Sequence, residues 1–246
     1  MSSLSGVSEN SETQLRGLLE EQAELLAELK RRQDRNKLAE YRPYTKQSDF
    51  HKAGAFHSER LFMAGNQLGK SVAGGSEMAI HLSGRYPDWW EGATFNRAPK
   101  FWCGGVTGES TRDNPQRILV GPPQIKDARG TGLIPGNALK DVTPGRGIAD
   151  GIDSVVVKWG GGGDVQADDA ILLFKSYEKG RSKWQGDTVD GVWFDEEPPQ
   201  DIYTEGKTRT NNGQRSVFVW TTFTPLLGMS EVVRGFLTDQ DLEAMK

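Results

Sequence analysis

Gly65, Gly69, Lys70 and Ser71 follow one another within "MAGNQLGKS", residues 63–71, between an apolar run and a segment with helical periodicity. A loop that binds phosphate needs successive backbone N–H groups free to face an anion at a helix N-terminus, a lysine that reaches the outer phosphates, and a hydroxyl for magnesium. Gly65, Asn66, Gln67 and Gly69 stand where that backbone cradle would form, Lys70 where the β and γ phosphates would lie, and Ser71 where the hydroxyl would meet the metal. One feature departs from the pattern G-x-x-x-x-G-K-[ST]: Ala64 holds the first position and the glycine falls one place later. A fragment this short also arises by chance, so its reading depends on what lies downstream.

Downstream, "GVWFDEE" ends an apolar stretch in paired acids, Asp195 and Glu196. Hydrolysis of a nucleotide on a phosphate-binding loop requires one acid to hold magnesium and a second to accept a proton from the attacking water, which assigns the metal to Asp195 and the base to Glu196. Taken alone, the pair could be two solvated acids at the end of a strand. Together with the upstream loop it points to chemistry.

Several elements must position these groups. "ERLFMAG" reads as a buried strand, and "KSVAGGSEMAIHLSG" as a helix ended by Gly84. "FWCGGVT", "SVVVKW", "AILLFKSY", "VDGVWFDE" and "SVFVWTTFTP" are short, apolar and rich in β-branched or aromatic residues, with intervals long enough for crossover helices between several of them. The economical fold is α/β, a mostly parallel central sheet flanked by helices. The 121–153 stretch is rich in Gly and Pro, and "GGGGD" at 160–164 predicts a hairpin turn. Ahead of all this, a helix is expected from Ser11, where Ser11 and Gln14 form a capping-box pattern. Leu15, Leu18, Leu19, Leu25, Leu26 and Leu29 recur at a and d spacing, interrupted by Gln22, and the helix ends in "KRRQDRNK". Either it docks on its own domain or it is an arm for a partner subunit.

The 246 residues carry a net charge of −4, so the chain lacks the basic balance of a free-standing nucleic-acid binder. Any nucleic-acid contact must come from local patches or from assembly. No stretch is long and apolar enough to span a membrane, and the polar start lacks the apolar core of a secretory signal, which leads to the expectation of a cytoplasmic protein. Cys103 has no cysteine partner, and His51, His57 and His81 read as incidental polar residues rather than metal ligands.

The combination of "GNQLGKS", "FKSYEKGRSKWQGDTVDGVWFDEEPP" and "TTFTP" resembles the large terminase subunit of tailed bacteriophages, over about residues 41–235. The resemblance implies a RecA-like P-loop NTPase fold of the ASCE type, ATP and Mg2+ as ligands, and an ATPase that drives double-stranded DNA, without sequence preference, into a procapsid. Portal protein and small terminase subunit would be its partners, a homo-oligomeric ring its working assembly, and the host cytoplasm its place. In that family the loop is a deviant Walker A, which accounts for Ala64, and "TTFTP" matches the coupling motif, so that Thr221 and Thr222 would sense the γ-phosphate. "YRPYTKQSDFH" looks like the adenine-side segment, with Gln47 pairing the base edge and Tyr44 stacking on it, although Tyr44 suits packing equally well. Many terminases carry an arginine in the loop where this chain has Asn66. The missing charge is sought in Arg181 and Arg209, which flank the acid-bearing strand, with Arg112 behind them.

The domain organisation expected is a polar segment and helical arm at 1–40, a P-loop ATPase domain at 41–237, and a tail or linker at 238–246 leading to a nuclease domain for which this sequence has no room. A helicase-like ATPase of another role would need a second RecA-like lobe. A binding module with little hydrolysis would have no use for Glu196.

Overall fold

A computed structural model describes residues 5–160, 168–210, 218–225, 228 and 230–237, with side chains from residue 13 onward. Three helices, α1 (Ser5–Asp34), α2 (Lys37–Glu40) and α3 (Thr45–Ala53), precede β1 (Glu59–Met63) and α4 (Lys70–Ser83). After β2 (Lys100–Gly105) come the short helices α5 (Gly108–Thr111) and α6 (Arg117–Val120), joined through a π-helical stretch, Arg112–Gln116. β3 (Leu139–Pro144), β4 (Ile152–Lys158), β5 (Asp169–Ser176), β6 (Gly191–Asp195), α7 (Gln200–Arg209), β7 (Val219–Phe223) and α8 (Glu231–Arg234) complete the order.

The strands form one seven-stranded sheet in the order β1-β7-β6-β2-β5-β4-β3. Pairings from β1 to β5 are parallel, while β4 and β3 add an antiparallel edge. Every strand expected from an apolar run is present. The added strand is β3, whose "LKDVTP" carries only two apolar side chains and so lacked a hydrophobic signature. The turn expected at 160–164 falls mostly outside the described residues, but the strands it joins are antiparallel neighbours.

Because successive side chains on a strand face opposite sides, a sheet covered on both faces reads as continuously apolar, as β2, β6 and β7 do. On one face Phe101, Cys103, Trp193 and Trp220 pack with Ala73, Met78, Ala79, Ile80 and Leu82 of α4. On the other, Trp102, Val192, Phe194 and Val219 pack with Ile202 and Tyr203 of α7. The result is a three-layer α/β/α arrangement.

α4 contains two glycines that weaken an isolated helix by about 1 kcal/mol each relative to alanine. Their value lies in close approach. A Cβ on Gly74 would sit 2.6 Å from Trp193 Nε1, and one on Gly75 would sit 2.7 Å from Ile118 Cγ2. Left-handed Gly84, φ 66°, then stops the helix as expected.

The N-terminal helix differs from expectation. It begins at Ser5, so Ser11 lies inside it and the capping-box pattern does not mark its start. Leu15, Leu18, Leu19, Leu25, Leu26 and Leu29 are 55–63% exposed, which excludes docking of this stripe on the subunit's own domain. Packing into the core begins at Leu38 of α2.

Gly74→Ala tests the close approach of α4. Despite the better helix propensity of alanine, overpacking against Trp193 should destabilise the protein by about 1–3 kcal/mol, read as a lower urea midpoint at unchanged m-value. A stabilised variant would show that α4 does not rest on Trp193.

Candidate active site

The loop of residues 64–69 leaves β1 at the carboxyl edge of the sheet, where the Ala64 N–H still donates to Phe223 O of β7 at 3.4 Å. Its reversal is made by two residues in the left-handed region, Gln67 (φ 60°) and Gly69 (φ 72°). The positive φ at 69 favours glycine, and a Cβ there would lie 2.9 Å from Gln47 Nε2 and displace that amide. Residues 65–68 face solvent, whereas Lys70 is buried and donates from Nζ to Gly65 O at 2.6 Å. The lysine thus lies across the mouth of the loop.

β7 lies between β1 and β6, and its register puts Thr222 level with both Phe62 and Asp195. Thr222 Oγ1 donates to Asp195 Oδ1 at 2.9 Å and accepts from Trp193 Nε1 at 2.8 Å. Ser71, on the first turn of α4, hydrogen-bonds the same carboxylate. Burial pushes the Asp195 carboxyl up to about 6, the bonds from Ser71 and Thr222 oppose the rise, the neighbouring charge of Glu196 adds to it, and Lys70 opposes it. Glu196 follows with φ 70°, a conformation that costs a non-glycine residue on the order of 1–3 kcal/mol. It is held there by its N–H on Thr222 O at 3.0 Å and by Tyr177, whose hydroxyl lies 2.9 Å from Glu196 O and 3.1 Å from Asp195 O. Burial raises the Glu196 pKa and Lys70 lowers it, so this acid is a stronger base than one free in water.

These residues fit a nucleotide phosphate and a divalent cation. An exposed loop leads into α4, Lys70 is buried at its end, and Ser71 and Asp195 stand together with oxygen atoms that could serve as ligands. An acid buried so deeply that its ionisation is disfavoured is one that a bound cation would return to the charged form.

Other expected residues stand elsewhere. Tyr44 and Gln47 do reach the loop, but through its backbone: Tyr44 Oη donates to Leu68 O at 2.5 Å, and Gln47 Nε2 to Gly69 O at 3.0 Å. The Gln47 carbonyl accepts from Tyr44 N at 3.3 Å, so both ends of the amide expected to read a base edge are engaged within the protein. Thr221 alternates to the opposite face of β7 from Thr222, whose hydroxyl is the one that reaches Asp195. The next residue on the loop side is Thr224, which donates to Asn66 Oδ1 at 2.8 Å.

Arg181 and Arg209 do not contact the loop. Both pair with Glu205 of α7, Arg181 Nε at 2.8 Å from Oε2 and Arg209 Nη2 at 2.5 Å from Oε1. Arg209 also ends α7 beside the start of β6, where its carbonyl accepts from Val189 N, at the edge of the sheet opposite Asp195. Flanking β6 in sequence placed them on its helix, not at its tip. Arg112 pairs with Asp113 and donates to Ala149 O. Sequence reasoning missed Tyr177 and Trp193, since an aromatic in an apolar run gives no sign that its polar atom has a task. It also read His51 and His81 as incidental, whereas both are buried against Glu77. The i,i+4 spacing of Glu77 and His81 was the available clue.

Asp195 carries a pH prediction for the chelator-treated protein. Its folded value lies above that of an unfolded aspartate, so folding takes up a proton between about pH 4 and 6 and stability falls as pH rises through that window. Asp195→Asn removes this cost. Above pH 7 the variant should be more stable than the parent by about 2–3 kcal/mol, and the gap should close near pH 4, as measured by denaturant unfolding. A variant less stable at every pH would show that the charge is not disfavoured.

Residues 61–246 match the family described as terminase large subunit, T4likevirus-type, N-terminal. The chain is 45% identical over 234 residues to the terminase large subunit of Salmonella phage P22, an alignment covering 89% of this chain and 46% of that protein. It is 44% identical over 69 residues to the terminase large subunit of Enterobacteria phage LP7, 28% of this chain and 14% of that one. The chain therefore spans less than half the length of these curated relatives. Among solved structures, its fold is similar to the large terminase ATPase domain of Thermus phage P74-26, with TM-score 0.54 and 18% identity over 83% of this chain and 76% of that one. The large terminase of bacteriophage HK97 gives TM-score 0.50 and 12% identity over 84% and 38%. With its phosphate loop and paired acids on one sheet edge and the family match running from β1 to the last residue, the chain belongs to the large terminase subunit family, of which it carries the N-terminal part.

Proposed function

We propose that this chain is the ATP-hydrolysing motor part of a large terminase, which drives double-stranded DNA into a viral procapsid in concert with a portal protein and a small terminase subunit. The observation that carries the reading is the position of β7 between β1 and β6, which links the phosphate loop to the acids through Thr222 on Asp195 and Thr224 on Asn66.

In this mechanism the amides of 65–71 hold the phosphates, and Lys70 moves off Gly65 O onto the outer ones. Ser71 and Asp195 would hold Mg2+, which when bound neutralises charge on the β and γ phosphates. Glu196 orients a water toward the γ-phosphorus and takes up its proton; its raised pKa suits that task. Thr222 keeps Asp195 aimed, with its own hydroxyl oriented by Trp193. Loss of the γ-phosphate is felt at Asn66, and Thr224 passes the change to the segment that follows β7.

Glu196→Gln should retain nucleotide while slowing hydrolysis by about 10² to 10⁴, and Lys70→Ala should abolish productive binding. Phosphate release and equilibrium binding of labelled ATP check both. Normal turnover in either variant would remove the assignment.

Asn66 brings no charge to the loop, and Arg181 and Arg209 are engaged by Glu205, so in this reading the positive charge on the transferring phosphoryl comes from a neighbouring subunit. Specific activity should therefore rise with protein concentration and on addition of duplex DNA, since a finger supplied by a neighbour is worth on the order of 10³ to 10⁵ in related enzymes. DNA binding by the monomer should be weak and fall steeply with salt. Rapid, DNA-independent turnover at nanomolar protein would refute a motor that completes its site on assembly.

A further inference from the structure

Glu77 is a carboxylate with no exposure, in the middle of a buried helix and away from the paired acids. Its Oε1 lies 2.5 Å from Arg60 Nη2, and its Oε2 lies 2.9 Å from Arg60 Nη1 and 2.8 Å from His51 Nδ1. His81 Nε2 approaches Oε1 at 3.6 Å. Arg60 Nη1 also donates to Phe50 O at 3.1 Å, and its guanidinium lies over the ring of Phe50 at 4.9 Å. Burial works to raise the Glu77 pKa, yet Arg60, the bond from His51 and the nearby His81 hold it well below the usual carboxylate range. The cluster is charged and buried.

The elements it joins are those that frame the nucleotide site. Arg60 is on β1, the strand that runs into the loop; Glu77 is on α4, the helix that leaves it; His51 and Phe50 are on α3. Gln47 and His51 are four residues apart, on one face of α3. That face is therefore held at two points one turn apart: at Gly69 O by Gln47, and at Glu77 by His51. Tyr44, at the head of the same helix, adds its bond to Leu68 O. Gln67 is exposed and left-handed, and the bonds from Tyr44 and Gln47 pin the two residues that follow it, Leu68 and Gly69.

We propose that Glu77, with Arg60 and His51, is a positioning group of the nucleotide site, which fixes α3 against β1 and α4 and so holds Tyr44 and Gln47 on the phosphate-binding loop. The inference rests on the reading of that loop as a nucleotide site, and it assigns the segment around Tyr44 a task in shaping the loop rather than in touching a base.

The test uses the full chain and two readouts, hydrogen exchange of the 63–71 peptide without nucleotide and the KM for ATP, both well below each variant's Tm. His51→Phe keeps the ring and removes the donor to Glu77. It should speed exchange of the loop and raise KM, each about tenfold, while kcat changes less than about twofold. Gln47→Ala should do the same, and the double variant should be no worse than the worse single one, because both break one linkage. His51→Asn, whose amide can occupy the place of Nδ1, should restore both values. Should His51→Phe not fold, Tyr41→Phe removes only the hydroxyl 3.0 Å from His51 Nε2 and should shift both readouts in the same direction by a smaller factor. A fall in Tm with loop exchange and KM unchanged, or effects that multiply in the double variant, would overturn the proposal. If the parent chain bound no ATP and hydrolysed none at high protein concentration with duplex DNA, the functional reading would fail, while the exchange data would still decide this one.

Discussion

The distance at which α4 can approach the sheet governs the rest of the site. Gly74 lets the helix settle onto Trp193 with no side chain between them, and Trp193 in turn donates to Thr222, which donates to Asp195. Ser71, one turn up the same helix, interacts with that carboxylate as well. A methyl group at position 74 would move the helix away from the strand, and Ser71 away from Asp195 with it. Packing density here governs whether Ser71 and Asp195 stay together, because a close-packed interior passes a displacement at one contact on to the next.

Burial acts on three carboxylates and yields two outcomes. Asp195 and Glu196 face few fixed cations, so desolvation dominates and both are pushed upward. Glu77 is at least as deeply buried but is met by Arg60 and two histidines, and it stays well below the usual range. The contrast separates the roles. An acid left short of positive charge is prepared for a cation or a proton, whereas one already neutralised by its neighbours is a joint in the framework. Unpaired, buried Asp195 lowers stability in the metal-free protein, and strained Glu196 adds to that cost, as expected where a site is built for something it must bind.

Motifs that act through the backbone or at a strand tip were legible. "GNQLGKS" needs only its glycines and the helix that follows, and "GVWFDEE" needs only a strand that ends at the sheet edge. Parity along a strand was legible in principle: Thr221 and Thr222 are adjacent, so only one can face the loop, and the Trp193–Thr222–Asp195 bonds identify which. The arginines were not legible, because proximity to β6 in sequence says nothing about where α7 carries them. Glu205 lies midway along that helix and gathers Arg181 from one side and Arg209 from four residues on.

The sequence by itself determined the class of fold and the chemistry of its edge, since hydrophobic runs of strand length, a glycine-bounded lysine loop and paired acids are local statements that neighbouring residues enforce. The tertiary structure alone decided that β7 enters between β1 and β6, that Glu77, Arg60 and His51 meet although they lie on three separate elements, and that Tyr44 and Gln47 bond to the loop backbone. The reason is physical. A hydrogen bond or ion pair across elements depends on strand order and helix approach, which are settled by how the whole set of apolar faces packs together, and no window of sequence contains that information.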